Sequence, residues 1–124
     1  MESVPFAIDL GLTTVQGILR LDDHGLAVEW RIFDLMGAPR GELESMVLPY
    51  ERMTSVEYRK SVVGSRLEIA TDRPDSLRSF PLPSGAITSL RVAVKRQYRD
   101  SAQALAAEAA LRIAESDGDS DRSG

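Results

Sequence analysis

Cysteine is absent from the 124 residues, which excludes disulfides, thiolate nucleophiles and thiolate metal ligands and fits a reducing, cytoplasmic setting. Long apolar runs are missing too: nothing approaches the roughly 20 consecutive residues a membrane-spanning helix needs. The opening MESVPF has no basic region and no apolar core, so no signal peptide is expected. Positive charge is short, with 15 basic against 19 acidic residues and a net charge of −4. That balance argues against a nucleic-acid binder driven by overall charge. The one histidine, His24, sits in Asp22-Asp23-His24-Gly25, which is ordinary turn chemistry before it is a metal cluster or a general base. No nucleophile–base pair and no glycine-rich phosphate loop stands out, so no enzyme activity, cofactor or metal is expected.

What is present is alternation, followed by one helix. Asp100–Glu115, DSAQALAAEAALRIAE, is rich in residues that lose little conformational freedom in a helix. Asp100 is placed to act as N-cap, and Gly118 lies just past a plausible end. Ala102, Leu105, Ala109 and Ile113 recur at spacings of three and four and so share one face. That stripe needs a partner, and the only candidate is the β-rich region upstream.

Upstream, Phe6, Ile8 and Leu10 alternate with polar or small neighbours, as do Val15 to Leu21. Leu26, Val28, Trp30 and Ile32 face inward against Glu29 and Arg31, a half-buried antiparallel pattern joined to the preceding strand by the Asp22–Gly25 turn, with Gly25 supplying a positive φ. The only tryptophan therefore belongs to the core. Asp34 to Glu44, with two glycines and a proline, reads as a loop exposing Leu35 and Met36. Met46, Leu48 and Tyr50 form a strand that Pro49 marks as an edge or a bulge. Further strands follow at Val56–Tyr58, Leu67–Thr71, Leu77–Leu82 and Leu90–Val94, with turns at Ser61–Ser65 and Asp72–Asp75. Seven or eight short strands, nearly all apolar on one side, imply a sandwich or bent barrel. Residues 1–116 are expected to form one domain, and 117–124 a disordered acidic tail with nothing to bury.

The hairpin GILRLDDHGLAVEWRI, the pair LPYERMTSVEYRKSVVGSRLEIATD and the closing LRVAVKRQYRDSAQALAAEAALRIA together resemble the pleckstrin-homology-like fold, in particular bacterial PH-like and GRAM-like domains. The resemblance implies a mainly β domain: two orthogonal antiparallel sheets capped by the C-terminal helix. It also implies binding of phosphoinositide headgroups or of peptides. In lipid-binding members a Lys precedes the first hairpin turn and a basic-x-Arg pair follows on the second strand. Here Arg20 precedes an acidic turn, and Glu29-Trp30-Arg31 breaks the pair.

Two basic clusters remain. Arg59, Lys60 and Arg66 flank the Ser61–Ser65 turn with Val62 and Val63, a possible anion or lipid contact. Arg91, Lys95, Arg96 and Arg99 lie where the last strand meets the helix. Charge balancing by nearby carboxylates is the plainer role for both. Glu29 and Glu57, outward-facing, read as solvated charges. A second helix face, Ala104, Ala107, Leu111 and Ala114, is either a small-residue solvent face or a contact surface. The expected function is a non-enzymatic module that binds a protein partner or itself; the alternatives are a peripheral adaptor on anionic membranes and a barrel that holds a small ligand.

Overall fold

The structure, a computed structural model, describes residues 3–61, 64–72 and 89–123 of the 124, with the backbone alone for 61 and 117–123. Among the described residues seven strands precede one helix: β1 Val4–Asp9, β2 Thr13–Leu21, β3 Gly25–Asp34, β4 Pro39–Pro49, β5 Met53–Ser61, β6 Gly64–Thr71, β7 Ser89–Val94 and α1 Arg99–Ser123. A 3-10 turn at Tyr50–Arg52 joins β4 to β5, and another at Arg96–Tyr98 leads into α1. The sheet is antiparallel, ordered β4-β3-β2-β1-β7-β6-β5, and it is not closed. The two expected sheets are thus two halves of one open sheet, and the register between β1 and β7 holds at the single pair Ala7↔Ala93.

Alternation decides which face is core. Val4, Phe6 and Ile8 of β1, Val15, Leu19 and Leu21 of β2, and Leu26, Val28 and Trp30 of β3 are buried. From the other half come Val56, Leu67, Ile69, Leu90, Val92 and Val94. Ala102, Leu105, Ala109 and Ile113 of α1 close over them, joined by Ala106. Burying one such leucine is worth about 1.5–3 kcal/mol. The helix packs chiefly on β5 and the Tyr50–Arg52 turn, so it covers the side on which β4 and β5 fail to meet. There the Tyr50 hydroxyl donates to the Asp22 carbonyl at 2.6 Å, and the Arg112 guanidinium lies 5.8 Å from the Tyr50 ring centre. Glu108 holds Arg112 from one turn earlier at 3.0 Å.

Two glycines let strands approach closely. A Cβ on Gly17, opposite Trp30, would lie 2.0 Å from the Glu29 carbonyl oxygen; one on Gly25 would lie 2.0 Å from that of Leu48. Gly25 therefore serves the β3–β4 approach. Its φ is not positive, contrary to the turn-based expectation. The turn is held instead by the Asp22 carboxylate, which accepts from the backbone N–H of His24 at 2.8 Å and of Gly25 at 3.0 Å.

Three boundaries differ from expectation. Only 35–38 is a turn in the presumed loop, pinned by the Asp34 carboxylate, which accepts from Met36 and Ala38 at 2.9 Å each. From Pro39 the chain is strand, the outer edge of the sheet, exposed on both faces through Ser45 and so without alternation to read. Tyr50 lies in the 3-10 turn and not in a strand. Asp100 is in the first turn of α1 and not its cap, because the Arg96–Tyr98 turn feeds straight into the helix. The helix also runs on through Gly118 to Ser123, past the expected end; the expected Leu77–Leu82 strand and Val62–Val63 tip, most of the Asp72–Asp75 turn and the side chains of 117–124 lie outside the described residues.

Candidate functional site

The β5–β6 hairpin sorts its charged residues by parity. Its register pairs Glu57↔Glu68, Tyr58↔Leu67, Arg59↔Arg66 and Lys60↔Ser65. Leu67 is buried, so Tyr58, Lys60 and Ser65 belong to the inner, helix-facing side, and Glu57, Arg59, Arg66 and Glu68 to the outer one. Adjacent on β7, Arg91 pairs with Glu68 and joins the outer set.

On that outer side Glu68 is the hub. Arg66 reaches it at 3.0 Å, Arg59 at 3.5 Å and Arg91 at 3.6 Å, while Arg59 also holds Glu57 at 2.7 Å. Three arginines share two carboxylates, and the arginine side chains remain about half exposed or more. Water screens such pairs, so each contributes at most about 1 kcal/mol. Arg59 and Arg66, two of the three expected anion contacts, are therefore already partnered, and Lys60 is on the other face.

Lys60 instead lines a cavity of about 340 Å³ with Tyr58, Gly64, Ser65, Arg96 and Arg99. One residue from the first basic cluster thus meets two from the second, because Ser65 pairs with Val94 and the chain turns back over the hairpin at Arg96–Tyr98. Among the described residues no carboxylate lines this cavity. Among the described residues Lys60, Arg96 and Arg99 make no ion pair. The Tyr58 hydroxyl is covered and has no hydrogen-bond partner there. Ser65 is committed to the frame, donating to the Val94 carbonyl at 3.3 Å. A neighbouring cavity of about 540 Å³ shares Gly64 and Ser65 and opens along the β1–β7 seam, with Arg66, Lys95 and Gln16 on its rim. Residue parity within β5 and β6 would have separated Lys60 from Arg59 and Arg66 in the sequence. No local signal announces the meeting with Arg96 and Arg99.

A second surface lies at the opposite edge. Leu35 (71% exposed) and Met36 (91%) cap the β3–β4 turn, with Leu43 (65%) and Val47 (48%) along β4. Leu12, at the β1–β2 turn, is exposed beside them, since Thr13 pairs with Asp34. Between Trp30 and Ile32 the β3–β4 register shifts, and the Arg31 Nε–H donates to the Gly41 carbonyl at 3.1 Å. Among the described strands β4 is the outermost, with none beyond it to receive its outward N–H and carbonyl groups.

The remaining candidates resolve simply. Two backbone N–H bonds, the larger contribution from His24, hold the Asp22 carboxyl below its ordinary range. Burial pushes the Tyr50 phenol up. Among the described residues no three His, Asp or Glu side chains come together as a metal site, and no helix is long and apolar enough to cross a membrane. Ala104, Ala107, Leu111 and Ala114 are all exposed along α1. Comparison with protein-family models, with characterised proteins and with solved structures gives no match.

Proposed function

We propose that this chain is a non-enzymatic, pleckstrin-homology-like interaction module of the cytoplasm, binding a protein partner along β4. The observation that carries the reading is the outer β4 edge, which no described strand pairs, flanked by Leu35, Met36, Leu43 and Val47. An extended partner segment adding to such an edge gains main-chain hydrogen bonds for affinity, and the apolar side chains give it register. Large apolar side chains grouped at one exposed edge need a reason in a way that scattered ones do not. The small-residue face Ala104, Ala107, Leu111 and Ala114 offers a second contact, of which only Leu111 is large.

The adaptor reading, in which Arg59, Lys60 and Arg66 meet an anionic membrane, draws less support, since Glu57 and Glu68 offset two of the three cations.

Affinity capture with the native chain and with Leu43→Lys, side by side, tests the β4 reading, together with sedimentation over a wide concentration range. The expected result is a partner, or a second copy, held by the native chain and lost at least tenfold in the variant. Equal capture by both chains, with a mass that stays monomeric throughout, contradicts it.

A further inference from the structure

We propose that the pocket between the end of β5, the beginning of β6 and the start of α1 is a binding site for a phosphate group, carried by a small phosphorylated molecule or by a lipid headgroup. It is independent of the β4 surface, so either reading can fail alone.

Three observations converge. The chain is net negative, with 19 acidic residues, yet Lys60, Arg96 and Arg99 share a cavity that, among the described residues, no carboxylate lines. On the other face of the same hairpin every described arginine has a carboxylate. Asp100, next in the chain to Arg99, is exposed and does not line the pocket. Like charges gathered without a counter-ion repel one another, and a bound anion converts that repulsion into attraction. Second, the Tyr58 hydroxyl is covered with its donor unspent, which is costly unless a ligand oxygen accepts from it. The exposed stems of Arg96 and Arg99 are free to shift on the nanosecond scale and admit that oxygen.

Third, the donor set matches phosphate better than a carboxylate. Two guanidinium forks, one ammonium and one phenol supply more directed N–H and O–H groups than the two oxygens of a carboxylate accept, and three positive charges suit a dianion. At about 340 Å³ the cavity falls in the ordinary range of small-molecule sites, roughly 300–1,000 Å³. It has room for a phosphate and part of what bears it. The cavity is also remote from the acidic Asp22–Gly25 turn, where Glu29 breaks the lipid-binding pattern.

The test titrates the full chain with inorganic phosphate in chloride buffer, followed by amide and tyrosine resonances and by thermal unfolding. Saturable shifts at Tyr58, Lys60, Ser65, Arg96 and Arg99, with a rising Tm, are expected. Replacing both arginines, Arg96→Gln with Arg99→Gln, should weaken phosphate by about tenfold or more, as charge-assisted bonds are lost. Arg59→Gln, the same charge change on the other face, should leave affinity within about twofold, its side chain being screened by water. Tyr58→Phe gives a readout that misfolding would not imitate: an unchanged or higher Tm in chloride, with a severalfold smaller response to phosphate.

Vesicles bearing phosphatidic acid, set against phosphatidylserine vesicles of equal charge, separate the two sources. Binding to the first alone, competed by free phosphate, assigns a lipid headgroup; saturation by free phosphate with no binding to either kind of vesicle assigns a soluble ligand. Absence of saturable shifts, or equal weakening by Arg59→Gln, overturns the site.

Discussion

The two faces of the β5–β6 hairpin carry similar cations under opposite conditions. Outside, Arg59, Arg66 and Arg91 crowd around Glu68 and Glu57, so their charge is spent at home. Inside, Lys60, Arg96 and Arg99 border a cavity where, among the described residues, no carboxylate lines the wall and the Tyr58 hydroxyl finds no hydrogen-bond partner. A count of basic residues in the sequence treats these sets alike. One residue of register separates Lys60 from Arg59, since neighbouring positions on a strand face opposite ways, and the chain reversal after β7 separates Arg96 and Arg99 from Arg91.

The largest expected effect comes from removing the apolar floor beneath the inner face. Leu67 is fully buried, and Leu67→Ala should cost about 2–5 kcal/mol by urea denaturation, the range for a core leucine that leaves a cavity. A cost below 1 kcal/mol, at the level of a surface change, would mean that the hairpin has no inner face. Next comes the outer hub: Glu68→Gln should lower stability by about 1 kcal/mol or less. It also frees Arg66 and Arg91, while Arg59 keeps Glu57, so co-sedimentation with anionic vesicles should appear or grow at low salt and fade as salt rises. If vesicle binding is unchanged by the substitution, Glu68 does not neutralise that face.

Tyr50→Phe sharpens the contrast with Tyr58. The Tyr50 hydroxyl has a partner in the Asp22 carbonyl, so its loss should cost about 0.5–1.5 kcal/mol, whereas Tyr58→Phe should cost nothing. Equal costs would erase the distinction between a satisfied and an unsatisfied phenol. The smallest effect is a pH dependence. The folded Asp22 carboxyl titrates below its ordinary value, so its stabilisation is present above the normal carboxylate range and lost as pH falls through the lowered folded value. Asp22→Asn, which keeps an acceptor oxygen, should flatten that acid limb of the stability curve; an unaltered limb would place the effect elsewhere.

Much of the fold was legible in the sequence because the core is one-sided. Alternation marked the inner residues of β1, β2, β3, β6 and β7, and spacings of three and four marked Ala102, Leu105, Ala109 and Ile113. The start of β4 was not legible, since an edge strand exposed on both faces has no period and its Pro39 and Gly41 imitate a loop. Gly25 was assigned a positive φ from turn statistics, while the actual constraint, the Leu48 carbonyl, belongs to a strand more than twenty residues away. The pocket was half legible: parity alone puts Tyr58 and Lys60 on one side and Arg59 on the other. Bringing Arg96 and Arg99 to them takes the Ser65↔Val94 register and the chain reversal beyond it, which no local pattern encodes.

The division of cations between the two faces is most directly tested by side-chain relaxation of the arginine Nε–H groups in the full chain, without added phosphate. Arg59, Arg66 and Arg91 should show restrained Nε–H vectors with high order parameters, and Arg96 and Arg99 mobile ones with low order parameters. Arg96 and Arg99 as restrained as the Glu68-bound set, in chloride alone, would contradict the account.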